Sequence, residues 1–242
     1  MTEISKNFDS CVEGYDAYAA PQSLLANALA ELIPNGERHG YALEFGAGTG
    51  LFTRRLQPWS GPYLATDAAP RMVAAGIERC PYVAWKQHDA TKPQGLGLAD
   101  WVLACNVLQW LEKPAEVLAA WRNELKPRGH LALAVFVKGT LEELAEVLPE
   151  TSSLNWRTET EWAELVRHAG FTLEREENWR HVEIYPGALQ FLRTIHDMGL
   201  APLRLAGPGR GRTAGKEDDR KFALPGGVHA TWQAWLIRAA RA

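Results

Sequence analysis

Glu44, Gly46, Gly48 and Gly50 stand at alternating positions in the run Leu43-Glu44-Phe45-Gly46-Ala47-Gly48-Thr49-Gly50. Glycines adopt dihedrals that side chains forbid, and they let backbone N–H groups come close to a ligand. Before them, the apolar run Tyr41 to Phe45 reads as a short buried strand. After them, an amphipathic segment from Leu51-Phe52 to about Gln57-Pro58 reads as a helix. Strand, glycine turn and helix make a nucleotide cradle. The spacing is G-x-G-x-G, not the G-x-G-x-x-G of the dinucleotide fingerprint. A second carboxylate, Asp67, follows twenty-one residues past Gly46, at the tip of a second strand, Tyr63 to Thr66. A carboxylate there can accept two hydrogen bonds from a ribose diol. A third, Asp89, follows the strand Val83 to Lys86. It either accepts from an exocyclic amine such as adenine N6 or caps a turn.

The elements that hold these groups follow in order. Residues 1–36 carry an aromatic prelude, Phe8, Tyr15 and Tyr18, and then a helix from Pro21 to Leu32, whose Leu24, Leu25, Ala28, Leu29 and Leu32 recur at helical spacing. The prelude either caps the cofactor or packs on the sheet. From it, the Tyr15 phenol can reach a cofactor or a substrate carboxylate. Pro70-Arg71-Met72 opens the next helix, where Met72 lies near the adenine or serves as a core residue. His88 reads as a surface neighbour. A fourth strand, Asp100 to Cys105, runs into Asn106-Val107-Leu108-Gln109-Trp110-Leu111. Open α/β sheets place reacting groups beyond the carboxyl ends of their strands, so Asn106, Gln109 and Trp110 face the expected site.

The remainder completes an α/β domain. A helix from Pro114 to Leu125 and a turn, Lys126 to Gly129, precede a fifth strand, His130 to Val137. Helices are expected over Gly139–Leu148 and Thr158–Ala169, with Thr158 and Glu161 spaced as a capping box. The last strands, Gly170 to Tyr185 and Ala230 to Arg238, are expected to pair as a hairpin, the final one antiparallel. An insertion, residues 186–228, separates them and is too long for a turn. Between Arg193 and Lys221 it holds seven basic residues against four acidic, in a chain of net charge -3. That stretch is a solvated loop or a docking face for an acidic partner.

Bulk composition narrows the function. At 242 residues, 46% hydrophobic and 23% charged, the chain suits one soluble globular domain spanning 1–242. A net charge of -3 gives no field favouring nucleic acid. No apolar run reaches the roughly 18 residues of a membrane span, and the N-terminus is not a signal peptide. Cys11, Cys80 and Cys105 are too few and scattered for disulfides or a zinc site, so a reduced cytoplasm is the expected compartment and no metal is expected.

The glycine spacing with Glu44 resembles the first motif of the S-adenosylmethionine-dependent methyltransferases with a Rossmann-like fold. Three further stretches resemble one family, the malonyl-acyl-carrier-protein O-methyltransferases of biotin biosynthesis. They are Phe8…Tyr15-x-x-Tyr18-Ala19-x-x-Gln22, Asn106-Val107-Leu108-Gln109-Trp110, and Ala188-Leu189-Gln190-Phe191-Leu192-Arg193-Thr194-Ile195 with Gly199. Val137-Lys138-Gly139-Thr140-Leu141-x-Glu143-Leu144 also fits.

The resemblance implies a seven-stranded Rossmann-like methyltransferase sheet with helices on both faces and a lid insertion before the last strand. It implies methyl transfer from S-adenosyl-L-methionine to the free carboxylate of a malonyl thioester on acyl-carrier protein, with the acidic carrier on the basic stretch 193–221. For the cofactor it implies Gly46, Ala47, Gly48 and Gly50 as the cradle, with Glu44 before them. Asp67 and Ala68 take the ribose, Asp89 and Ala90 the adenine end, and Tyr15, Gln22, Met72 and Asn106 complete the site. Around the substrate it implies Tyr15, Tyr18, Gln109, Trp110 and Arg193. The chain departs from the family after Gly199, where Leu200-Ala201-Pro202-Leu203 replaces a small Asn- or His-containing turn, and in the Gly/Arg-rich tract from Ala206.

A carboxylate is ionised well below pH 7, so no general base is expected and no residue is assigned a proton-transfer role. Two other readings remain open: methylation of another small acid, and a cofactor-binding partner protein without turnover. A nicotinamide dehydrogenase is disfavoured by the glycine spacing. Nucleic-acid methylation is disfavoured by Val107 where an Asn/Asp-Pro-Pro-aromatic motif would have proline.

Overall fold

The structure is a computed structural model and describes residues 3–143, 156–198 and 227–242. Short helices α1 (Glu3–Ser10) and α2 (Val12–Tyr18) lead into α3 (Ala20–Glu31). Then come β1 (Ala42–Phe45), α4 (Leu51–Arg55), β2 (Tyr63–Asp67), α5 (Pro70–Arg79), β3 (Ala84–Gln87) and β4 (Ala99–Cys105). A 3₁₀ turn, Leu108–Trp110, precedes α6 (Pro114–Glu124) and β5 (Leu125–Phe136). The chain continues with α7 (Glu159–His168), β6 (Phe171–Tyr185), α8 (Ala188–Asp197) and β7 (Val228–Arg241).

The seven strands form one sheet in the order β3-β2-β1-β4-β5-β7-β6. Neighbours among β1 to β5 pair parallel, and β7 runs antiparallel to both β5 and β6. Strand order reverses between β1 and β4, and the crevice above that point is where such sheets bind ligands.

Alternation along each strand feeds two cores. Ala132, Ala134 and Phe136 of β5 face one side with Trp232 and Ala234 of β7, under Leu25 and Leu29 of α3 and Phe191 of α8. Leu131, Leu133 and Val135 face the other, under Trp121 of α6 and Trp162 of α7. Ten tryptophans thus find mainly structural work, with Trp121, Trp162, Trp232 and Trp235 all fully buried.

The expected capping box closes α7. Glu161 N–H donates to Thr158 Oγ1, and Thr158 N–H donates to the Glu161 carboxylate at 2.7 Å. One boundary differs from expectation. Leu125 already pairs with Ala99, so β5 begins before the Lys126-Pro127-Arg128-Gly129 turn. The irregularity is absorbed between Ala99 and Trp101, and Arg128 adopts φ 65°. Apolar patterning does not reveal a pairing that depends on a distant strand. β7 runs to Arg241, past the expected end at Arg238, because β6 pairs with it throughout. The expected helix Gly139–Leu148 does not begin at Gly139: residues 139–141 form a turn, with Leu141 at φ 55°, before helical residues 142–143. Residues 144–148, and residues 199–226 of the insertion with its basic and Gly/Arg-rich tracts, lie outside the described residues. Among the described residues, no helix is long and apolar enough to cross a membrane.

Candidate cofactor site

A cavity of about 460 Å³ opens at the reversal point. Its floor is the glycine loop. Gly46, Gly48 and Gly50 take φ of 63°, 57° and 86°, all left-handed. The loop is tied to β2: Ala47 N–H donates to Thr66 O (2.8 Å), and Gly48 N–H donates to Asp67 Oδ2 (2.9 Å). Asp67 Oδ1 accepts from Ala69 N–H at 2.8 Å. Burial raises the Asp67 carboxyl above its ordinary value, and the Ala69 and Gly48 N–H groups oppose that rise.

Glu44 lies beneath the loop, only 1% exposed. Its Oε2 accepts from Thr53 Oγ1 (2.7 Å) and from the Tyr63 hydroxyl (2.6 Å). Burial pushes the carboxyl up to about 7, against the two hydroxyl hydrogen bonds and with help from the Asp67 charge. From the ordinary 4.5 to about pH 7, an unfolded Glu44 has given up its proton while the folded one retains it. Stability therefore falls as pH rises through that window, and the whole cost is present above pH 7. A Glu44→Gln chain keeps an oxygen that accepts both hydroxyls and does not titrate. It is expected to match wild type near pH 4 and to exceed it by roughly 2–3 kcal/mol at pH 8. Denaturant melts of both proteins at the two pH values check this; a gap independent of pH would remove Glu44 as its source.

Beyond β3, His88 and Asp89 line the same cavity. Asp89 Oδ1 accepts from Thr91 N–H (3.0 Å) and Thr91 Oγ1 (2.7 Å), an Asx turn. Burial works against its charge, but Thr91 and Lys92 outweigh that and hold the carboxyl below its ordinary value. Asp89 is thus a turn former, as one of its two readings had it, and it also lines the cavity. Met72 is a core residue, 1% exposed in a small cluster with Val12, Ala69 and Ala75, and it too lines the cavity. His88 is a correction: its ring stacks near Phe45 (6.3 Å, 30°) and it lines the cavity rather than the outer surface. The contact depends on the β2–β3 pairing, where His88 N–H donates to Asp67 O.

The other wall comes from β4 and the cap. Asn106 follows β4 with φ 61°, and its N–H donates to Ala134 O (2.9 Å). A left-handed non-glycine residue at the rim of a cavity marks a turn held by its surroundings. Asn106 Oδ1 and Gln22 Oε1 are buried acceptors without a protein partner, and both residues line the cavity. Buried unpaired acceptors carry a desolvation cost that a donating ligand relieves. Phe8 and Tyr15 close the top, in edge contact with each other (6.2 Å), and Phe8 meets Trp110 (6.1 Å). Burial pushes the Tyr15 phenol up, so it stays protonated. The Cys105 thiol is pushed up by burial as well.

Of the expected cofactor residues, Tyr15, Gln22, Glu44, Gly46, Ala47, Gly48, Asp67, Ala68, Met72, Asp89, Ala90 and Asn106 all line this one cavity. Gly50 lies just behind it as the N-cap of α4. Of the expected substrate residues, Tyr15 and Trp110 line it; Tyr18, Gln109 and Arg193 do not. Tyr18 is 41% exposed, and Arg193 is on the exposed face of α8. Both Gln109 amide atoms are buried and have no partner among the described residues.

The donor and acceptor set fits S-adenosylmethionine. A carboxylate at the tip of β2 is of the kind that accepts from a ribose diol, and acceptors without partners among the described residues, Asn106 Oδ1 and Gln22 Oε1, are of the kind that take an ammonium. Among the described residues, no group of three or more His, Cys, Asp or Glu is placed to hold a metal ion.

Comparison with known proteins agrees. Residues 15–176 match the family described as "Methyltransferase domain". The chain is similar to the malonyl-[acyl-carrier protein] O-methyltransferase of Halalkalibacterium halodurans, 27% identical over 223 residues that cover 81% of each chain. It is equally similar to the protein of that name from Paenibacillus sp., 27% identical and covering 98% of this chain and 97% of that one. In three dimensions it resembles a Bacillus halodurans crystal structure described as a methyltransferase, with TM-score 0.66 and 16% identity over 89% of this chain and 98% of that one. With the family matched over most of its length and the cradle in place, the chain belongs to the methyltransferase-domain family, as a class I enzyme whose cofactor is S-adenosyl-L-methionine.

Proposed function

We propose that this enzyme methylates the free carboxylate of a malonyl thioester carried on acyl-carrier protein, an early step of biotin synthesis. The observation that carries the reading is full-length similarity to proteins named for that reaction, 27% identical over 98% of this chain. The cavity chemistry supports it. The groups at the Tyr15–Trp110 rim are a protonated phenol, a protonated Cys105 thiol, an amide and an indole. None of them takes a proton readily at pH 7, and a carboxylate nucleophile requires no such acceptance.

S-adenosylmethionine supplies an electrophilic methyl on a sulfonium. The chain's part is to align and to exclude water, and alignment alone accounts for roughly 7–11 kcal/mol in well-oriented reactions. Phe8, Tyr15 and Trp110 dry the rim. Asn106 and Gln22 orient the amino-acid end of the cofactor, and Asp67 the ribose.

Arg193 has a distinct role in this proposal. It lies outside the cavity wall on α8, which packs on α2 beside Tyr15. An exposed guanidinium there meets an incoming carboxylate before the lid closes, and a fork of N–H donors selects a planar carboxylate. Basic residues of 193–221 then face the acidic carrier, and the compartment is the cytoplasm, where that carrier resides. The test is transfer of labelled methyl to malonyl-carrier protein, beside malonyl-coenzyme A and free dicarboxylates. Label on the carrier, released by mild base as methanol, is the expected result; label on a free acid alone would replace the substrate. On malonyl-carrier protein, Arg193→Ala is expected to lower kcat/KM by about 10–100-fold with cofactor affinity intact, the worth of a hydrogen bond to a charged group. An unchanged kcat/KM would take Arg193 out of the site.

A further inference from the structure

Asp16 is next to Tyr15 on α2 but does not line the cavity. Both of its carboxylate oxygens are engaged. Thr49 Oγ1 donates to Oδ1 at 2.5 Å. Arg54 Nη2 lies 3.2 Å from Oδ2, and Arg79 Nε lies 3.7 Å from the same atom. Thr49 is the residue between Gly48 and Gly50 and is 1% exposed. Arg54 also donates to the Thr49 carbonyl at 3.2 Å. One carboxylate therefore joins the cap helix α2, the glycine loop, α4 and α5.

Two further polar attachments of the cap, both to Arg71, are exposed. Asp9 Oδ1 accepts from Arg71 N–H (2.8 Å), and Glu13 pairs with Arg71 Nη2 (3.0 Å) with its side chain 90% exposed. Exposed pairs of that kind contribute little. The apolar seam between cap and α5 is small: Val12, Ala69, Met72 and Ala75, with Phe8 and Tyr15 at its edge. Ser5, Phe8 and Tyr15 of this cap wall the cavity, so its docking decides how well a ligand is enclosed.

We propose that Asp16 is a positioning residue of the cofactor site. It docks α2 on the glycine loop through Thr49, and so sets Tyr15 above the ligand and the Gly48–Thr49 backbone beneath it. Because α8 packs on α2, the same contact sets the helix that carries Arg193. The inference rests on the cofactor assignment and not on the identity of the methyl acceptor.

Calorimetric titration with S-adenosylhomocysteine, the demethylated product, tests it in wild type, Asp16→Ala, Thr49→Val and the double variant. Kd is expected to rise about tenfold in each single variant, the equivalent of about 1.4 kcal/mol, with the double variant no weaker than Asp16→Ala because the Thr49 contact is already lost in it. Ligand-free melting temperatures are expected to fall by only a few degrees, because a buried hydroxyl and its partner carboxylate lose one hydrogen bond. Hydrogen exchange over residues 3–18 is expected to quicken in the ligand-free variants. Unchanged Kd values, or a double variant whose loss is the sum of the singles, would overturn the proposal. A lower melting temperature with unchanged Kd would make Asp16 an ordinary structural ion pair. Product binding needs no acceptor, so a failed acceptor assignment leaves these outcomes readable.

Discussion

Asp67→Ala is expected to weaken S-adenosylhomocysteine binding by about a hundredfold or more. A carboxylate at the end of β2 accepts two ribose hydroxyls, and each hydrogen bond to a charged group contributes roughly 1.5–3 kcal/mol. The pair is therefore worth about 3–6 kcal/mol, and each 1.4 kcal/mol is tenfold. The substitution also frees Gly48 N–H and Ala69 N–H, which Asp67 holds in the absence of ligand, so the loop keeps only its backbone tie to β2, from Ala47 N–H to Thr66 O. Asp67→Asn separates the contributions. Its amide oxygen still accepts, but its NH₂ cannot accept from Gly48 N–H, and an intermediate loss is expected. Burial raises the Asp67 carboxyl above its ordinary value, so wild-type affinity is expected to fall as pH drops through that raised value. The Asn variant should flatten that fall. Calorimetry across pH measures all three proteins; an Asp67→Ala chain within about threefold of wild type would show that the ribose is held elsewhere, since that gap is well under 1.4 kcal/mol.

The cradle was legible because its information is local. Strand, glycines and helix lie within fifteen residues, and Asp67 is one βα unit further on, a distance set by the size of the ligand. The residues that the sequence misplaced depend on packing between distant elements. Nothing in the sequence singles out Asp16; only the fold brings it to Thr49, 33 positions away. His88 reads as a surface residue until β3 pairs with β2 and brings its ring to Phe45. Gln109 shares the post-β4 segment with Asn106 and Trp110 and sits between them in the 3₁₀ turn Leu108–Trp110, but it does not line the cavity. The early start of β5 is of the same kind, because Leu125 is a strand residue only by pairing with Ala99. The G-x-G-x-G pattern also conceals a division of labour, since its glycines look equivalent in sequence and are not so in space.

Gly46→Ala and Gly48→Ala are expected to fail in different ways. A Cβ on Gly46 would lie 2.2 Å from Val107 Cγ2, 2.9 Å from Cγ1 and 3.1 Å from Cβ. Rotating the Val107 side chain cannot relieve this, because its Cβ is itself too close and both branches stem from it. Overpacking of about 1–3 kcal/mol adds to roughly 1–2 kcal/mol for a left-handed alanine at φ 63°. The sum, about 2–5 kcal/mol, lowers the melting temperature by roughly 10 °C in a chain of this size. A Cβ on Gly48 meets no protein atom within 4 Å, so Gly48→Ala carries only the backbone cost of roughly 1–2 kcal/mol. That open space is cavity, and a methyl there stands where the ligand approaches the backbone. Gly48→Ala is therefore expected to fold and to lose cofactor affinity, whereas Gly46→Ala loses stability first. Adding Val107→Ala removes both methyls that clash with the Gly46→Ala side chain. It is expected to restore part of the melting temperature, short of wild type by the left-handed cost, and to do nothing for Gly48→Ala. Thermal melts with and without S-adenosylhomocysteine distinguish the cases. If both alanine variants lost stability equally, the open space at Gly48 would not be the ligand's, and the first glycine's close approach to Val107 would not be what the motif protects.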